Sequence, residues 1–162
     1  MQNMCKNKNK QCSQKSDIVN DTIQMMSEAD GIVLGSPVYF SCIAGTMKSF
    51  LDRVFYAAGS NEELFRHKVG VVVTAVRRSS GSSVLDSLND YLMYAGMILA
   101  KGNYWNISNG RTPEEMLQDS EAVQIFQVLA KNVLWILKMT ERSKGNTDEP
   151  KKVDKINTNF IR

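Results

Sequence analysis

The stretch GIVLGSPVYFSCIAGTMKSFLDR, residues 31–53, limits what this chain can fold into more than any other. The apolar run Gly31-Ile32-Val33-Leu34-Gly35 ends in Ser36-Pro37, and a small-residue loop carrying Tyr39 and Phe40 follows. Met47, Phe50, Leu51, Val54 and Ala58 then recur at helical spacing, and Gly59-Ser60-Asn61 reads as a stop. A short, continuously apolar run bounded by glycines predicts a parallel strand covered on both faces. A buried strand that passes through a loop into an amphipathic helix is half of a βαβ unit.

The same pattern returns. Val69-Gly70-Val71-Val72-Val73-Thr74 is the strongest strand signal, because β-branched residues suit a crowded pleated sheet. It runs into the polar loop Arg77-Arg78-Ser79-Ser80-Gly81-Ser82. Ser83-Val84-Leu85-Asp86 reads as a capping box, and Val84, Leu88, Tyr91, Leu92 and Ala95 mark the core face of the helix behind it. Upstream, Ile18, Val19, Thr22, Ile23 and Met26 predict a helix over 17–28. Downstream, residues 97–100 form a third candidate strand and 102–111 a polar segment. Thr112-Pro113-Glu114-Glu115 is a second capping box with proline at the first helical position. Ala122, Phe126, Leu129, Val133, Ile136 and Leu137 predict a last helix over 119–139.

This alternation predicts an α/β layer sandwich with a parallel sheet. No linker or repeat divides it, so residues 1–140 read as one domain. Residues 141–162 read as a polar surface tail, and 1–16, with four lysines, as a flexible basic start. A net charge of +3 is too small to imply a nucleic-acid partner. No apolar run approaches the roughly 18 residues of a membrane span. The lysines at the start precede no apolar signal core. Three cysteines, Cys5, Cys12 and Cys42, make no regular disulfide framework. A cytoplasmic protein is expected.

In open α/β sheets ligands sit outside the carboxyl ends of the strands. Two such ends are rich in glycine and hydroxyl residues, 36–45 and 75–83. The first adds Tyr39 and Phe40, which suit a planar aromatic ligand. The second adds Arg77 and Arg78, which suit a phosphate or an electron-rich ring. The same compositions also serve merely to turn a chain. His67 lies in the basic turn Arg66-His67-Lys68, and Cys42 reads as a small loop residue. No catalytic side chain and no metal site are expected.

Residues 29–40, ADGIVLGSPVYF, followed by Gly45-Thr46-Met47-Lys48-Ser49-Phe50-Leu51-Asp52-Arg53, resemble the signature of the NADPH-dependent FMN reductase family, which includes the iron–sulfur flavoproteins. Residues 74–81 resemble its second flavin loop, and Asn103-Tyr104-Trp105-Asn106 and residues 158–162 are similar to its downstream habits. The resemblance implies a flavodoxin-like three-layer sandwich. It implies FMN contacts from Ser36, Pro37, Val38, Tyr39 and Phe40 on one side of the ring, and from Ala75, Val76, Arg77, Arg78, Ser79 and Gly81 on the other. The implied chemistry is hydride transfer from NAD(P)H to FMN and on to an acceptor: free flavin, a quinone, a nitroaromatic or a protein. A homodimer or homotetramer is the implied assembly.

Against that family pattern the chain reads as N-terminally truncated, without the first strand and its phosphate loop. The strand at 31–35 is therefore expected to have an open edge. Two cysteines near the start fall short of the four-cysteine motif of the iron–sulfur branch, so no cluster is expected. Two other readings follow: a non-catalytic flavodoxin-like remnant or interaction module, and an FMN electron carrier served by partner proteins.

Overall fold

A computed structural model describes residues 11–61, 63–153, 156 and 158. Its elements are α1 (Val19–Glu28), β1 (Gly31–Tyr39), β2 (Cys42–Ile43), α2 (Gly45–Ser60), β3 (Val69–Val76), α3 (Gly81–Tyr94), β4 (Ile98–Leu99), β5 (Ile107–Asn109), α4 (Pro113–Gln118) and α5 (Ser120–Ser143).

β3 lies at the centre. β1 runs parallel to it from Gly31↔Val69 to Pro37↔Ala75. The far edge of β3 is shared in parallel by β4 at its start and β5 at its end. β2 turns back antiparallel on the tip of β1, pairing Val38↔Ile43 and Tyr39↔Cys42. The sheet is thus parallel except for this hairpin.

One face of the sheet builds the main core. Ile32, Leu34 and Val72 meet Val19 and Ile23 of α1, Leu51, Val54 and Phe55 of α2, and Val84, Leu88 and Leu92 of α3. Each fully buried aliphatic side chain of this kind contributes about 1.5–3 kcal/mol. On the other face α5 covers β3, with Leu129 against Val69, Val71 and Ala100. The long helix has the length and composition of a membrane span, yet Ala122, Ile125 and Leu129 are buried against the sheet.

The expectation that β1 is covered on both faces needs correction. Its burial alternates, and Val33 is 65% exposed, because α5 packs chiefly over β3. The strand also extends through Ser36-Pro37 to Tyr39, residues whose sequence reads as loop. Proline is tolerated there because β2 pairs only Val38 and Tyr39, so Pro37 itself has no strand partner on the outer side of β1 among the described residues.

Local chemistry sets the ends of several elements. Lys68 Nζ donates to the carbonyls of Ser27 and Ala29, closing the C-terminus of α1. Thr112 Oγ1 accepts from Glu115 N at 3.3 Å, while Glu115 Oε2 accepts from Arg111 N at 2.7 Å, so the second capping box forms one residue out of register. The first does not form. α3 begins at Gly81, and Ser83 lies inside it. α2 is tied to α3 by Tyr91, whose hydroxyl donates to Asp52, itself paired with Lys48. Burial, then the Asp52 carboxylate, pushes the Tyr91 hydroxyl above its ordinary pKa.

The expected flexible start lies outside the described residues up to residue 10. Beyond it, Cys12 is buried, and its N–H and carbonyl both bond the Asn20 side chain. At the other end the tail returns to the base of the sheet, where Arg66 donates to the Pro150 carbonyl and His67 lies 3.4 Å from Glu149.

Candidate flavin cleft

The carboxyl ends of β1 and β3 open on the same edge of the sheet, as parallel pairing requires. β1 ends in a two-residue hairpin turn, Phe40-Ser41, with φ of 48° and 63°. Both values are left-handed, the combination that matches a tight turn to strand twist. β3 ends in the Arg77-Arg78-Ser79-Ser80 loop, and Ser80 is left-handed as well, with φ of 68°. Such backbone costs non-glycine residues about 1 kcal/mol or more each. Of the five non-glycine residues with positive φ among those described, these three face one another across one cleft.

A hydrogen bond joins the two sides: Ser41 Oγ and Ser80 Oγ lie 2.8 Å apart. Behind them the cleft encloses about 380 Å³, lined by Val38, Phe40 and Ser41 from one loop and Val76, Arg77, Arg78, Ser79 and Ser80 from the other. Phe40 is fully exposed at the rim. Arg77 and Arg78 are exposed, and neither forms an ion pair among the described residues. The Ser80 side chain does not cap α3, so the first N–H groups of that helix keep their donors for another acceptor.

The sequence-derived candidates separate into two groups. Val38, Phe40, Val76, Arg77, Arg78 and Ser79 line the cleft. Ser36, Pro37, Tyr39, Ala75 and Gly81 do not, and each has another place. Ser36 is buried, and its hydroxyl accepts from Ala44 N at 3.1 Å and donates to the Pro37 carbonyl, which pins the loop from behind. Its carbonyl accepts from Thr74 Oγ1 at 2.7 Å, tying the ends of β1 and β3. Pro37 and Tyr39 are on the exposed face of β1, so Tyr39 and Phe40 do not form one stacked pair. Ala75 lies within β3, and Gly81 is buried against Ile107, where a Cβ would come within 2.7 Å of the side chain. Ser41 and Ser80, absent from the candidates, supply the bridge. The signal for Ser41 was its place between two short extended runs, the spacing of a hairpin turn.

The donor set suits a flavin ring. An apolar wall of Val38 and Val76, a rim aromatic, two guanidinium groups and uncapped helix N–H groups match a flat apolar ring with an electron-rich polar edge.

Comparisons with known proteins bear on the family and the fold. An iron–sulfur flavoprotein of Methanocaldococcus jannaschii is 29% identical over 147 residues, spanning 86% of this chain and 74% of that protein. An iron–sulfur flavoprotein of Archaeoglobus fulgidus is 30% identical over 141 residues, spanning 80% of this chain and 70% of that protein. Among solved structures, RosB with bound 8-demethyl-8-formylriboflavin-5′-phosphate superposes with a TM-score of 0.57 at 14% identity, covering 93% of this chain and 69% of RosB. The Trp repressor binding protein from Bacillus subtilis superposes with a TM-score of 0.54 at 15% identity, covering 74% of this chain and 70% of its own. These structural likenesses concern the flavodoxin-like fold alone. The family model of NADPH-dependent FMN reductases matches residues 1–112, well over half of the sequence, and the chain therefore belongs to that family of FMN-dependent oxidoreductases.

Proposed function

We propose that the chain holds FMN with its ring in the cleft between the Phe40-Ser41 turn and the loop of residues 77–80, takes hydride from NAD(P)H, and passes the electrons to an acceptor. The observation that carries this reading is the cleft itself: three strained residues and a hydroxyl bridge hold two loops at a fixed separation. Strain kept at the end of two parallel strands is a mark of a functional edge.

Bound FMN supplies the redox chemistry, accepting two electrons as hydride and releasing them to the acceptor. The chain's residues do the rest. Val38 and Val76 exclude water from one part of the ring. Phe40 covers the rim. Arg77 and Arg78 favour negative charge on the ring's polar edge. Ser36 sets the position of the first loop through Ala44 N and its own carbonyl. No side-chain acid or base is needed for this chemistry. The family description names NADPH, and the position of the arginines beside the cleft accords with an anionic donor. A homodimer or homotetramer is part of the proposal.

The test is an FMN titration of the full chain, read by flavin fluorescence. Saturable micromolar binding, weakened at least tenfold in Arg77→Ala, is expected. A folded chain that takes up no FMN sinks the reading. Among the described residues the outer edge of β1 is unpaired before Val38, which favours a second reading, an interaction module, and that outcome would select it.

A further inference from the structure

A second cleft adjoins the first across the loop of residues 77–80. It encloses about 250 Å³ and shares Val76, Arg78, Ser79 and Ser80 with the flavin cleft. Two aromatic side chains line it. Tyr104 and Trp105 are each 57% exposed, with ring centroids 4.7 Å apart at 53°. Neither belongs to a core cluster. The next residue explains how two aromatics are displayed in water at a fixed place. Asn106 is buried and bonds the Val72 carbonyl, Gly102 N and Thr74 N, which anchors the segment to the centre of the sheet. The far wall carries Glu121, which is exposed, and Asp119. The backbone N–H groups of Asn109 and Ala122 hold the Asp119 carboxyl below its ordinary range.

The cleft brings three chemistries together: exposed aromatic rings, carboxylates, and a guanidinium shared with the flavin cleft that forms no ion pair among the described residues. A single aromatic acceptor would use the rings alone. A dinucleotide uses all three. The second cleft is below the roughly 300–1,000 Å³ of a site for a drug-sized ligand, so it suits half of such a molecule.

We propose that the Tyr104–Trp105 cleft takes the adenine end of the dinucleotide donor, and that Arg78 meets the pyrophosphate where the molecule crosses into the flavin cleft. This rests on the reading that the donor is NAD(P)H. The base stacks on one of the two exposed rings and packs against the edge of the other, which gives position with little selectivity among bases. Glu121 faces the adenosine ribose.

The experiment uses ADP-ribose, which has the adenine and the pyrophosphate but cannot deliver hydride, with 2′-phospho-ADP-ribose as a second arm. In Trp135→Phe the chain keeps Trp105 as its one tryptophan. Saturable quenching of its fluorescence by either probe is expected. Tyr104→Ala and Tyr104→Leu should each weaken binding about tenfold, measured by calorimetry, with FMN affinity unchanged. Arg78→Ala should weaken it by a similar factor. The arm that binds more tightly identifies the donor, the phosphorylated probe for NADPH and the plain one for NADH. No saturable binding of either probe, or unchanged binding in the Tyr104 and Arg78 variants, overturns the proposal. If FMN fails to bind while ADP-ribose binds, the flavin reading falls and the nucleotide cleft stands. If FMN binds and neither probe does, the cleft falls and the flavin reading stands.

Discussion

The side chain of Asn106 donates to the Val72 carbonyl at 3.0 Å and accepts from Gly102 N at 3.2 Å, in a buried setting. Water cannot replace either partner without opening the sheet edge between β4 and β5. Asn106→Ala leaves an acceptor and a donor orphaned, at about 1–3 kcal/mol each. A loss of roughly 2–6 kcal/mol is therefore expected in urea unfolding. Asn106→Asp keeps only the acceptor role and should fall short of full rescue. Two glycines nearby differ in a way that contacts decide. A Cβ at Gly102 would meet the Ile125 backbone oxygen at 2.9 Å, whereas one at Gly81 would meet chiefly the far end of the Ile107 side chain. A side-chain terminus can swing aside and a helix carbonyl cannot. Gly102→Ala should cost about 1–3 kcal/mol, and Gly81→Ala less, which thermal melts of the two variants will rank.

At the scale of elements, the segment before α1 is held by Arg53 of α2. Its Nη1 donates to Asp17 Oδ2 at 2.6 Å, and Nη2 lies 3.5 Å from the Cys12 sulfur. The Arg53 hydrogen bond, followed by that from Val19 N, holds the Asp17 carboxyl below its ordinary value of 3.8. A carboxyl lowered on folding stabilises above its unfolded value, and that stabilisation is lost as pH falls through the folded one. The segment over residues 11–18 should thus detach first on acidification. Pepsin cleavage within it should accelerate as pH drops from about 4.5 to about 2, and Asp17→Asn should remove that dependence. The elements readable from sequence were those with a local period. The apolar stripes of α1, α2 and α5 and the β-branched run of β3 carry their own signal. β5 does not: it is three residues long and exists through pairing of Ile107, Ser108 and Asn109 with the end of β3. The start of α3 was unreadable for a different reason. Ser79, Ser80, Ser82 and Ser83 all make acceptable caps, and the helix starts at Gly81, whose missing Cβ lets it sit close against Ile107. The cleft was half legible on the same grounds, since composition marked both loops but could not say that Ser36 turns inward while Ser41 reaches across.

For the whole molecule the open side of β1 matters most. Val69 N donates to the Asp30 carbonyl, so the even-numbered groups of β1 turn toward β3. By alternation the N–H groups of Gly31, Val33 and Gly35 point the other way, where no strand lies among the described residues. Residues 31–39 carry no charge to discourage pairing, and only Pro37 and the short β2 hairpin at the tip blunt the edge among the described residues. Exposed Val33 and Tyr39 on this strand, and Leu134 on α5, add apolar surface. An edge of this kind pairs with another strand, so the proposed homo-oligomer is expected to use it. Val33→Lys places a charge on that surface at little cost to folding, because the side chain it replaces is already 65% exposed. Light scattering behind size exclusion should show the parent associated and Val33→Lys shifted toward monomer, still folded by circular dichroism. A variant that remains associated moves the interface away from β1. The exposed Leu134 and Trp135 of α5 are then the side chains to charge next.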